Sequence, residues 1–496
     1  MPADILSTVA DSAAEVGRLL WQPIAATPWH DLSGFWLMQV AGQRFLVAGF
    51  LPLIPLLAMF RGRRLRSAIV LSGLAFVWHL FGGLYAAYYL LLCIFLHWLG
   101  QRFAVEVRRT DVLPWGPPLA AWLIIGGGYV VSLLLGGVRL PAPVTDWVWR
   151  NAPWLLPFGV RGVSWELDLL SNAPERTLAG APPLLLAFLL PHFIGTAYLA
   201  VRMLQYFSEL KRGTISPQRR TLLNFLAFTC YAPTLMQGPL ERYARFQEQL
   251  DTCHERRSWP SVAAGVGRMA EGLAKKLIAL WYVWPIVYQT YYADNLYYKR
   301  PEAIESYALL FFGVHLQVLY LYLDFSGYSD LAIGMSRLLG YRVAENFAWP
   351  WFSCSLTEMW RRWHITLSFI LRDYIFVPLT RKRWPVKLNL CLTFLLCGLW
   401  HLPHGGMALW GIVMGLMVGV NQSWVRWMRA IDRSPGSSLH ALRHAWLRLQ
   451  PLPRLCAWAL TINAFALSGL LFFGGTRGTI RLLTELLRRP LEHLLG

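Results

Sequence analysis

The sequence predicts an all-α, polytopic integral membrane protein, with about eleven transmembrane helices and additional re-entrant or interfacial helices around a central passage. Three observations predict it. Of 496 residues, 56% are hydrophobic and only 15% charged, against roughly 45–50% and ~25% in an ordinary soluble domain. Apolar runs near the ~20 residues that cross a bilayer recur along the chain. The 25 tryptophans suit a chain that meets many membrane–water boundaries, where amphipathic rings settle. This composition excludes a disordered or fibrous protein.

The first element, residues 1–39, carries Asp4, Asp11, Glu15 and Asp31 and lacks the basic start and small-residue cleavage site of a signal peptide. It reads as an amphipathic segment at the membrane surface. The core, 40–424, holds spans near 40–60, 67–82, 84–100, 118–136, 181–206, 221–238, 262–291, 304–324, 388–401 and 405–424. The run 67–100 is too long for one crossing, and Gly82-Gly83 offers a turn between two helices. The last element, 425–496, combines a basic stretch over 425–453 with a final span near 454–474. No fixed-period repeat, second domain or low-complexity tract is visible.

Lys and Arg exceed Asp and Glu by 46 to 27, a formal charge of +19. Arg61, Arg63, Arg64 and Arg66, then Arg102, Arg108 and Arg109, then Lys211, Arg212, Arg219 and Arg220 fall on one side if the intervening spans pair as hairpins. The positive-inside rule makes that side cytoplasmic and leaves the tryptophan-rich 137–180 segment outside. With no zinc finger, RNP-type motif or long basic run, nucleic acid is not an expected partner. The seven cysteines form no C-x-x-C pair, so neither a disulfide framework nor a thiolate metal site is expected.

The densest unusual segment is 355–373. Placed on one helix at about 100° per residue, Arg361, His364, Ser368 and Arg372 share a sector of about 80°, with Trp363, Leu367 and Ile370 opposite. Thr357 is a candidate cap, and Glu358 stands at i,i+4 from Arg362. The plain reading is an interfacial helix whose basic face meets lipid headgroups; the sharper one is a re-entrant helix facing an internal cavity. A second stripe, Asn389, Thr393, Cys397 and His401, recurs every fourth residue and should face protein or water. It ends where Pro403 and Gly405-Gly406 break the helix. His401 and His404 do not complete a metal site, and no metal is expected. Asp324-Phe-Ser-Gly-Tyr-Ser-Asp330 ends an aromatic span, either as a solvated cap or as a lining that partners the arginines of 361–372. Gln237 begins a turn at the end of the 221–238 span. Arg202, inside an apolar helix, needs a carboxylate or carbonyl partner.

These segments, in this order, resemble the membrane-bound O-acyltransferase family, and within it the bacterial branch of alginate O-acetyltransferases and teichoic-acid D-alanyl transfer proteins. The resemblance rests on Gln237-Gly238-Pro239 with Arg242-Tyr243, on Asp324 to Asp330 with Gly334, and on Glu345-Asn346-Phe347. Trp360-Arg361-Arg362-Trp363-His364 with Leu367-Ser368 and Arg372-Asp373-Tyr374, then Gly398-Leu399-Trp400-His401, complete it. It covers about 40–424 and is strongest over 221–424. Two departures are visible: Leu402-Pro403-His404 follow His401 where the family often has glycine, and 137–180 is long for this branch.

The resemblance implies acyl transfer from a cytoplasmic thioester to a hydroxyl reached from the other side of a bacterial cytoplasmic membrane. His401 matches the invariant histidine and is expected as general base, a task that suits a group with an unperturbed pKa of ~6.5. His364 matches the second histidine and is expected to assist. Arg361, Ser368 and Arg372 are candidate donors to the developing oxyanion; Asp324, Ser326, Asp330, Asn389 and Gln237 are candidate walls of the passage. No cofactor is expected to be bound. The donor is acetyl-CoA or a phosphopantetheinyl carrier protein, both acidic and attracted by basic loops. Besides membrane lipid, the expected partner outside is a cell-surface polysaccharide or a periplasmic acyl-relay protein. No G-x-S-x-G elbow is present, which favours direct transfer. The competing reading is a transporter or flippase of a lipid-linked or acyl substrate, in which the histidines relay protons.

Overall fold

The computed structural model describes residues 50–81, 83–109, 198–235, 237–287, 300–304, 307–401 and 405–495. The N-terminal segment, the expected span at 118–136 and the 137–180 segment lie outside the described residues. Among the described residues regular structure is helical throughout, with no strand. Four helical segments among the described residues are long and apolar enough to cross a membrane: Ala86–Glu106, Tyr307–Leu338, Gly405–Asp432 and Leu452–Phe473.

Contact density divides the chain into two units. The first comprises Pro28–Gly272 and Tyr328–Ala344. Its helices Gly62–Phe81 and Gly83–Arg109 flank position 82, the site of the expected turn, which lies outside the described residues. The expected span at 221–238 is two short helices instead, Leu222–Thr229 and Ala232–Leu235. Thr221 caps the start of the first by accepting from Asn224 N–H, and Pro233 has no N–H to continue the ladder. The carbonyls freed by the break are taken up by Arg202, on a helix over 198–211. Its guanidinium donates to Phe228 O (2.8 Å), Thr229 O (3.1 Å) and both oxygens of Thr234. A helix C-terminus is partially negative and attracts a cation, so the buried charge is met by backbone carbonyls.

The core of this unit is aromatic. Tyr206, Phe225, Phe228, Tyr231, Tyr243, Phe246 and Tyr341 form a chain of edge-to-face pairs with centroids 4.9–5.5 Å apart. Each such pair is worth about 0.5–1.5 kcal/mol beyond its buried area.

The second unit comprises the described residues of Leu273–Gly327 and Glu345–Gly496. The helix Tyr307–Leu338 contributes to both units and does not end at Asp324. It runs through the polar segment because the two acids are buried and paired, Asp324 with Lys276 and Asp330 with Arg268 (2.8 Å). The solvated cap is therefore excluded, and these carboxylates answer to cations on the helix Trp259–Ile278 rather than to the arginines of 361–372. The last helix, Leu452–Leu495, extends well beyond its apolar part. Near its far end Arg489 donates to the carbonyls of Pro301 (3.2 Å) and Glu302 (3.1 Å).

The helices Val386–His401 and Gly405–Asp432 pack backbone to backbone. A Cβ at Gly398 would stand 2.1 Å from Met407 O, one at Gly411 2.2 Å from Phe394 O, and one at Gly415 2.6 Å from Cys391 Cα. Only glycine permits this approach, the device by which membrane helices associate without a hydrophobic drive.

Candidate functional site

The segment expected as one amphipathic helix, 355–373, is broken. The helix Leu356–Arg362 ends, the helix Ile365–Leu371 begins, and His364 between them takes the left-handed conformation at φ 43°. Ser355, not Thr357, caps the first helix by accepting from Glu358 N–H (3.2 Å). Thr357 instead donates its hydroxyl to Asn421 (3.0 Å). Glu358 and Arg362 form the expected i,i+4 pair at 2.7 Å.

Two physical causes account for the break. Trp363 and His364 are both buried although adjacent, Trp363 among Tyr322, Phe347, Trp351 and Phe465. The first amides of the second helix have no partner within it and need acceptors from elsewhere. Asn346 supplies them: its backbone carbonyl accepts from Ile365 N–H (2.9 Å), and its side-chain oxygen accepts from the Thr366 hydroxyl (2.9 Å) and Thr366 N–H (3.4 Å). Ala348 N–H donates to Arg362 O at 2.9 Å, fastening the segment before the break to the segment after Asn346.

The break redistributes the residues read onto one face. Arg361 is exposed; Arg372 bonds Asp373 at 2.8 Å and lies 4.8 Å over the Phe369 ring; the Ser368 hydroxyl donates to Trp360 O (3.1 Å), tying the two short helices together. The break separates Arg361 from His364, whereas Ser368 N–H still donates to His364 O at 3.0 Å.

His364 itself is 2% exposed. Its Nδ1 lies 3.1 Å from Asn346 Oδ1, its Nε2 has no hydrogen-bond partner, and its ring meets Phe325 edge-on at 4.7 Å. Trp400 joins it to the second histidine: the Trp400 ring is 6.2 Å from His364 and 4.7 Å from His401. His401, at the end of the described part of its helix, packs between Trp410 (6.1 Å) and Phe472 (5.5 Å). Two histidines 37 positions apart in sequence thus border one aromatic cluster.

The stripe read along 389–401 faces protein. Asn389, Thr393 and Cys397 are buried, and Asn389 donates to Phe376 O (2.8 Å) and the Thr380 hydroxyl (2.9 Å). Ser326 is buried, with an unpartnered hydroxyl, in the second unit, where Asp324 pairs with Lys276. Asp330 and the half-buried Gln237 belong to the first unit. Among the described residues no group of three or more His, Cys, Asp or Glu is placed to hold a metal ion.

Sequence reading missed the structural parts of Asn346 and Lys276. Asn346 acts on a residue 18 positions away, and no local spacing announces such a cap. Lys276 looks like the basic end of an apolar run until its partner on another helix is known.

Comparison with known proteins gives a consistent set of likenesses. A family model described as the membrane-bound O-acyltransferase family matches residues 148–442. A probable alginate O-acetylase of Azotobacter vinelandii is 31% identical over 389 residues, covering 75% of this chain and 67% of the relative. A teichoic acid D-alanyltransferase of Bacillus subtilis is 31% identical over 236 residues, covering 45% of this chain and 56% of the relative. A peptidoglycan O-acetyltransferase of Helicobacter pylori is 27% identical over 259 residues, covering 50% and 44%. The match to the alginate O-acetylases spans about two thirds of their length, 67% in one and 64% in another.

Proposed function

The chain belongs to the membrane-bound O-acyltransferase family, and from that premise we propose that it moves an acyl group from a cytoplasmic thioester to a hydroxyl on an extracytoplasmic acceptor. The observation that carries this reading is the meeting of His364 and His401 at one aromatic cluster through Trp400. In the proposed reaction the acceptor hydroxyl oxygen attacks the thioester carbonyl carbon and His401 takes its proton. The new C–O bond forms, the C–S bond breaks, and the leaving thiolate receives the proton back from the imidazolium. The surrounding rings exclude water, which strengthens every charge interaction within the cluster. The buried, unpartnered Ser326 hydroxyl supplies a polar group for the same passage.

The donor is an acetyl or other acyl thioester of coenzyme A, or a loaded phosphopantetheinyl carrier protein. Exposed Arg61, Arg63, Arg64, Lys211 and Arg212 favour an acidic donor on the cytoplasmic side. The acceptor is a cell-surface polysaccharide or a periplasmic acyl-relay protein, in line with relatives named for alginate, teichoic acid and peptidoglycan. The setting is the bacterial inner membrane, crossed by about eleven spans.

The test is transfer by the detergent-purified protein from radiolabelled acetyl-CoA and from loaded carrier protein. His401→Ala should reduce transfer by about 10²–10⁴-fold while leaving insertion and melting temperature unchanged. Retained transfer by His401→Ala removes His401 as base. Absence of transfer by the unaltered protein from either donor favours a transporter without acyl-transfer chemistry.

A further inference from the structure

We propose that Asn346 is a positioning residue for His364, holding the imidazole as the Nδ1-protonated tautomer so that Nε2 is a fixed hydrogen-bond acceptor facing substrate. This rests on the acyl-transfer reading for its purpose, not for its geometry. Asn346 is fully buried, and its side chain has one oxygen that accepts and one nitrogen that donates. The atom facing the break also meets the backbone N–H of Thr366, which can only donate. That atom is therefore the oxygen. A ring nitrogen 3.1 Å from the same oxygen must carry a proton, so Nδ1 of His364 is N–H. In a neutral imidazole the other nitrogen then bears the lone pair. That nitrogen, Nε2, is buried and unpartnered.

The arrangement is over-determined. The left-handed backbone at His364, strained for a non-glycine residue, is held by the same asparagine through Ile365 N–H and Thr366. Backbone and ring are thus fixed together. With its acceptor preset, Nε2 receives a substrate O–H or N–H at the aromatic cluster, and in its neutral form it cannot donate to an oxyanion. The substrate group is a hydroxyl of the acyl acceptor or an amide N–H of a pantetheine arm, which share this chemistry.

The first test needs no activity. Nitrogen-15 spectra of histidine-labelled protein in lipid, with the His364 signal assigned by its loss in His364→Gln, should show protonated Nδ1 and unprotonated Nε2. The reverse pattern overturns the proposal. The pattern should be lost in Asn346→Leu. The second test is kinetic. Asn346→Leu should lower kcat/KM by about 10–100-fold, the usual effect of removing a group that orients a histidine. Asn346→Asp, which keeps an acceptor in place, should recover most of it, and the KM that rises in Asn346→Leu tells whether donor or acceptor is held. Thr366→Val removes the neighbouring hydroxyl without touching the His364 contact. If it falls as far as Asn346→Leu, or if Asn346→Asp fails equally, Asn346 is only a cap and the proposal is overturned. An unaltered protein that transfers nothing refutes the acyl-transfer reading, while the nitrogen-15 pattern still decides the tautomer.

Discussion

Two helix breaks in this molecule make opposite use of a buried polar side chain. At 229–232 the break exposes carbonyls, and Arg202 covers them with the ends of its guanidinium. At 363–364 the break exposes amides, and the Asn346 oxygen covers them. Both follow from the rule that helix ends in a low-dielectric interior need partners of opposite polarity. The difference lies in what remains. The first break occupies the ends of a guanidinium, whose remaining Nε–H can only donate; the second engages one side of a histidine ring and leaves Nε2 unpartnered. The same backbone problem, solved with a donor in one place and an acceptor in the other, yields a staple in the first unit and a buried ring nitrogen without a partner in the second.

Substitutions can break or sharpen that contrast. The largest effect on stability is expected from Arg202→Leu, which takes the guanidinium from Phe228 O and Thr234 O and leaves Thr229 O to the Tyr89 hydroxyl alone: about 4 kcal/mol, read as a lowered melting temperature and loss of folded yield in detergent. If the protein tolerates it, the first break is not held by Arg202. Next comes Lys276→Met, which strands the buried Asp324 carboxylate and should destabilise by about 3 kcal/mol. The double change Lys276→Met with Asp324→Leu should restore most of that loss, since the penalty lies in the orphaned charge. Failure to restore it would show that the pair does more than neutralise itself. The smallest is Ser355→Ala, a lost cap of about 1 kcal/mol at the helix leading into the second break, with transfer activity retained. A larger fall in activity than in stability would show that the angle of this helix governs His364.

Much of the fold was legible wherever a rule is local. Apolar length marked the long helices Tyr307–Leu338 and Gly405–Asp432, and the polar stripe from Asn389 faces protein as its spacing required. Motif order pointed to the two histidines. What stayed hidden depends on residues distant in sequence. A helical wheel through 355–373 assumes continuity, and the break at His364 is set by Asn346, Tyr322 and Phe465, which the segment itself does not contain. The helix through Asp324 to Asp330 continues because Lys276 and Arg268 neutralise it from another helix; without those cations the same residues would end a span.

The glycines at 398, 411 and 415 carry no functional group, yet they set how closely the His401 helix lies against its neighbour. A methyl group at any of them would push the two backbones apart and carry the imidazole with them. On the acyl-transfer reading, a change at these glycines moves His401 without touching a substrate, whereas Trp410 and Phe472 border the imidazole itself.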